Sequence, residues 1–98
     1  MLRATYSSPG TVKKLLRSLD ELIKQAGKGD QVAHSIYLDL DNALYYEGVL
    51  SFKQRKYLKL WLDGYRQIDI AAMHRVSQEA VTQTINRGVG NISLFLTK

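Results

Sequence analysis

The chain of 98 residues contains no cysteine. That absence removes disulfides, thiolate zinc sites and cysteine nucleophiles together, and it fits a reducing compartment. No window reaches the ~18 uninterrupted apolar residues of a membrane span. The N-terminus lacks the apolar core of a secretion signal, so the expected location is the cytoplasm. There the glycosylation-type triplet Asn91-Ile92-Ser93 carries no meaning. Strand signals, internal repeats and low-complexity stretches are also missing. A glycine-rich phosphate loop is missing too, because Gly88-Val89-Gly90 lies inside a helical stripe and follows no strand.

What remains is an ordinary globular composition, 45% apolar, of a length that suits one compact domain over residues 1–98. Acidic residues are scarce in one half only. Residues 1–50 hold six Lys/Arg and six Asp/Glu, a balance of zero. Residues 51–98 hold eight Lys/Arg against Asp63, Asp69 and Glu79, so the whole excess of +5 sits there. Such a half attracts phosphate backbones or anionic membrane surfaces, and a solvated basic face is the plain alternative.

The hydrophobic pattern predicts an all-α fold of five helices. Residues 1–7 read as a loose arm. Ser8-Pro9 starts a helix whose apolar positions, Val12, Leu15, Leu16, Leu19, Leu22, Ile23 and Ala26, recur at steps of three and four. Gly27, free to adopt positive φ, ends it. Asp30 caps a second helix with Ala33, Ile36, Leu40, Ala43 and Leu44 on one face, widened by Tyr37, Tyr45 and Tyr46, and Gly48 stops it. Residues 8–48 thus form a helical hairpin. Ser51 caps a third helix to about Asp63, with Tyr57, Leu58, Trp61 and Leu62 inward and Gly64 after its end. A short fourth helix spans 67–74. Ser77 caps a fifth with the stripe Val81, Ile85, Val89 and Ile92, reaching toward Leu96. Gly88 and Gly90 weaken it by roughly 1 kcal/mol each and are expected to fray or bend it.

Residues 50–96 therefore hold the predicted helix-turn-helix, packed on the hairpin. Such a motif needs a small residue where the helices cross, and Ala71 supplies it; Val81 locks the second helix, and Ile70, Val76 and Ile85 complete the core. Ser77 turns an amide-rich helix start outward, a natural seat for a phosphate. The outward positions of the second helix, about 77–87, are Gln78, Glu79, Thr82, Gln83, Asn86 and Arg87. Gln and Asn can pair with adenine edges, Arg with guanine and Glu with cytosine. A merely solvated polar face has the same composition.

The segment from Leu50 to Ile92 resembles region 4 of sigma-70-type factors and their phage-encoded relatives, and is similar to the DNA-binding domains of response regulators. The pieces that carry the resemblance are Leu50-Ser51, Gln54-Arg55, Leu62-Asp63-Gly64-Tyr65, Gln67-Ile68-Asp69-Ile70-Ala71, and Val76-Ser77-Gln78 with Val81. The resemblance implies double-stranded DNA binding through the second helix, with RNA polymerase as a further partner in some members. The chain departs from the family at His74-Arg75, where Leu-Gly is usual. Arginine at positive φ costs about 1–2 kcal/mol relative to glycine. The core-polymerase-binding helices of a complete sigma factor are not recognisable.

The expected function is sequence-specific DNA binding in transcription regulation. Base-reading candidates are Gln78, Glu79, Thr82, Gln83 and Asn86. Phosphate-contacting candidates are Lys53, Arg55, Lys56, Arg66, Gln67, Arg75, Ser77 and Arg87. Two other readings stay open: a sigma-like interaction module that binds RNA polymerase without reading DNA, and a DNA-packaging or recombination accessory protein. No constellation supports an enzyme, and no cofactor or metal is expected. Asp39 and Asp41 stand two apart on a helix and face different ways, and His34 and His74 are isolated. The apolar tail Ile92–Leu96 and the pair Tyr45/Tyr46 are candidate homodimer surfaces; the tail packing back on the hairpin is the alternative.

Overall fold

The computed structural model describes residues 3–98. Among them it is all-helical: α1 (Arg3–Tyr6), α2 (Pro9–Arg17), α3 (Leu19–Gly27), α4 (Gln31–Tyr45), α5 (Phe52–Leu62), α6 (Gln67–His74) and α7 (Gln78–Leu96). The last three helices start where the sequence places them, and two of the starts, those of α5 and α7, are marked by a side-chain cap. Ser51 and Gln54 form a capping box, side chain to backbone in both directions at 3.1 and 3.0 Å. Ser77 Oγ accepts from the Ala80 N–H at 3.0 Å. Trp61 is buried, as its face with Tyr57 and Leu58 requires.

The N-terminal part differs from expectation in three ways. The arm over residues 1–7 lies outside the described residues at positions 1 and 2, but Arg3–Tyr6 is a helical turn. Tyr6 is buried there, and its hydroxyl donates to Asp39 Oδ2 at 2.8 Å. The first long helix is two helices, broken at Ser18. The Ser18 hydroxyl bonds back to the Lys14 carbonyl at 3.0 Å, and the Ser18 N–H takes the Leu15 carbonyl, so the regular ladder stops. The break lets the halves serve different neighbours: α2 packs on α7, α3 on α4. The hairpin is therefore α3–α4. Its turn uses Gly29 at φ 95°, while Gly27 remains the last residue of α3.

Tyr45 and Tyr46 do not extend the buried face of α4; both are half exposed. Tyr46 has left the helix, at φ −66° and ψ 129°, so its ring turns onto Phe95 with centroids 5.0 Å apart. Most of the tail also folds inward. Ile92 and Ser93 are buried and Phe95 and Leu96 pack against the core, whereas Leu94 is exposed.

Helix α7 is the spine that α1, α2, α4, α5 and α6 all touch. It runs as one continuous helix through its glycines. Gly88 is buried, and a Cβ there would stand 2.9 Å from Leu58 Cδ1 and 3.4 Å from both Gln54 Cβ and Leu50 Cδ2. The missing side chain is what lets α5 approach α7, and the packing offsets the helix-propensity cost.

Candidate nucleic-acid interface

Helix α6 starts after Arg66, whose guanidinium grips Asp69 through Nε at 2.9 Å and Nη2 at 3.2 Å. The hydrogen bond from Arg66 holds the Asp69 carboxyl below the usual carboxylate range. Both side chains are well exposed, so the pair constrains Arg66 more than it stabilises the fold. One residue on, Gln67 Oε1 accepts from the Thr82 hydroxyl, which also lies 3.0 Å from the Gln78 carbonyl. This contact ties the start of α6 to the second turn of α7.

The turn between α6 and α7 is built without glycine. Arg75 adopts φ 55° and ψ 42°, the left-handed conformation. The Val76 N–H returns to the Ala71 carbonyl at 3.1 Å and closes the helix end. Arginine thus bears the strain of the left-handed conformation, with its side chain exposed. His74 is half-buried beside the turn. Its ring packs on Tyr57 at 4.8 Å, and its Nδ1–H donates to the Ile70 carbonyl at 2.8 Å. Ile70, Ala71, Val81 and Ile85 are buried where α6 meets α7.

Of the base-reading candidates, Gln78, Glu79, Gln83 and Asn86 are exposed on α7. Thr82 is half-buried, with its hydroxyl engaged inside the motif, because its position on α7 faces the start of α6. Of the phosphate candidates, Lys56, Arg75 and Arg87 are exposed. Lys53 Nζ stands 5.7 Å from the centre of the Tyr57 ring, which also touches His74, so Lys53 is drawn toward the end of α6. Ser77 spends its hydroxyl oxygen on its own helix start. Arg55 is turned away from the group: its Nε donates to the Leu44 carbonyl at 2.8 Å and closes the end of α4.

Sequence reasoning missed the cations of α2. Lys13 Nζ donates to Asn86 Oδ1 at 3.0 Å. The Arg17 guanidinium lies 4.0 Å from the centre of the Trp61 ring, and Lys13 Nζ lies 5.5 Å from it. The zero charge balance of residues 1–50 hid these side chains. It sums a helix with Lys13, Lys14, Arg17 and no acid with the acidic stretch Asp20, Glu21, Asp30, Asp39, Asp41 and Glu47. The fold brings α2 against α7, where Lys13 reaches Asn86.

Among the described residues no helix is long and apolar enough to cross a membrane, and no group of three or more His, Asp or Glu could hold a metal ion. Comparison of the chain with protein-family models, curated proteins and solved structures found no match.

Proposed function

We propose that the protein binds double-stranded DNA in a sequence-specific manner and regulates transcription, with α7 as the reading helix. The observation that carries this reading is the way α7 is presented. Its Val81–Ile85 face is locked on α6 through a tight left-handed turn, while Gln78, Glu79, Gln83 and Arg87 stand in solvent. Amides, a carboxylate and a guanidinium on the first turns of such a helix can meet base edges in a major groove. Exposed Lys53, Lys56 and Arg75 on the adjoining elements supply charge for phosphates. The resemblance of Leu50–Ile92 to region 4 of sigma-70-type factors supports the same reading.

The test is selection from a random duplex pool by mobility shift, followed by paired titrations of the selected site and a scrambled duplex at equal salt. Gln83→Ala is expected to keep the fold and to cost about 1–3 kcal/mol on the selected site, with little change on scrambled DNA. Equal affinity of the wild-type chain for both duplexes would remove sequence specificity from the proposal. No binding to either would remove DNA.

A second reading rests on α6. Ile68 and Met73 are each about half exposed, beside exposed Ala72 and Tyr65. Apolar residues on the outside of a motif suit a protein partner better than a phosphate backbone. An interaction module, with RNA polymerase as the partner the resemblance implies, would lose polymerase binding on Ile68→Asp and keep it on Gln83→Ala.

A further inference from the structure

We propose that α2 is a second edge of the DNA interface, in which Lys13, Lys14 and Arg17 contact backbone phosphates beside the reading helix. The inference rests on the DNA-binding reading and extends it to a helix outside the motif.

Three observations support it. First, α2 carries three cations and no acid, and Lys14 and Arg17 are exposed. Second, α2 lies directly against α7, and Lys13 reaches the Asn86 amide at 3.0 Å, so its charge sits at the flank of the helix that would enter the groove. A side chain in a major groove has phosphates close on either side, so cations flanking the reading helix are well placed for them. Third, Arg17 has a resting place on the protein itself. Its guanidinium rests 4.0 Å from the centre of the Trp61 ring, an arrangement favoured by the ring's negative face. An arginine held this way loses less side-chain freedom on meeting a phosphate than a waving one. The contact between Lys13 and Asn86 has a further consequence. With one lone pair of Oδ1 accepting from Lys13, Asn86 still has its NH2 group and the second lone pair to offer to a base edge.

The hairpin provides the internal control. Lys24 and Lys28 carry the same charge on α3 and just after it, and α3 packs on α4. The experiment measures affinity of the full chain for a mixed-sequence duplex at several salt concentrations. It compares the wild type, Lys13→Gln/Arg17→Gln, Lys14→Gln alone, Arg17→Lys, and Lys24→Gln/Lys28→Gln. The double α2 variant should flatten the slope of log affinity against log salt by about two units and Lys14→Gln by about one, as loss of phosphate contacts requires. Arg17→Lys should keep the wild-type slope, and the Lys24/Lys28 variant should too. Lys14→Gln, at an exposed position, reads out the proposal even if the double variant fails to fold. Equal flattening by the Lys24/Lys28 and α2 variants would overturn the proposal in favour of net charge alone. Wild-type slopes in the α2 variants, with duplex binding retained, would also overturn it while leaving the DNA-binding reading intact. Absence of wild-type duplex binding at every salt concentration would remove both.

Discussion

The α3–α4 hairpin and the α5–α7 unit are both amphipathic helices joined by short turns, yet they use their apolar residues differently. Helix α3 has no fully buried residue, and Ile23, Val32 and Leu38 are each about half exposed or more. In α5 to α7, Tyr57, Leu58, Ile70, Val81, Ile85, Val89 and Ile92 are almost fully shielded. Amphipathic period alone therefore does not measure how much of a face is used. That depends on how many neighbours a helix has. The stripe of α7 meets five other helices, whereas α3 packs mainly on α4 and adjoins α2.

The largest effect expected from this contrast is at Trp61. Trp61→Ala should destabilise by about 3–5 kcal/mol in denaturant titration, whereas Ile23→Ala should cost below about 1 kcal/mol. Similar losses at both positions would erase the distinction between the two regions.

Tyr6 tests how firmly the first turn is tied to the rest. Its hydroxyl meets Asp39 of α4, its carbonyl accepts from the Ser93 hydroxyl of α7, and burial followed by the hydrogen bond to Asp39 raises its pKa. Tyr6→Phe should cost about 1.5–3 kcal/mol at neutral pH, the range for a hydrogen bond to a charged group. A raised folded-state pKa means the contribution is complete below the unfolded tyrosine value near ~10 and fades as pH climbs past it. The variant should therefore show a smaller alkaline loss of stability than the wild type, which parallel unfolding curves from neutral to alkaline pH would reveal.

Two glycines in α7 sharpen the comparison inside one helix. Gly88→Ala places a methyl group against Leu58 and should destabilise by about 1–2 kcal/mol even after the gain in helix propensity. Gly90 has nothing within 4 Å of the same added atom, so Gly90→Ala should stabilise by about 0.5–1 kcal/mol. Thermal melts of the two variants should move in opposite directions. A smaller gain is expected at the turn. Arg75→Gly should raise stability by about 0.5–1 kcal/mol, because relief at φ 55° is partly offset by the freer unfolded chain.

The helix starts at Ser51 and Ser77 were legible because capping depends on residues three apart in the chain. The span of α6 was legible for a related reason: a short apolar run is bounded by the turn residues that close it. Among the site candidates, the exposure of Gln78, Gln83 and Arg87 followed from the helical period. The engagement of Thr82 by Gln67 did not, since that depends on the crossing of α6 and α7.

By itself, the sequence determined that the chain is helical, where its C-terminal helices begin, and which face of α7 is apolar. These are local consequences of backbone geometry and periodicity. Only the tertiary structure decided the rest. The period of Leu15, Leu16, Leu19, Leu22 and Ile23 runs unbroken across Ser18, so the apolar pattern does not mark the point where α2 leaves α3 for α7. Tyr6 finds Asp39, Lys13 finds Asn86 and Gly88 admits Leu58 across long stretches of chain. Each pairing depends on distances through space, which a one-dimensional pattern of polar and apolar residues does not encode.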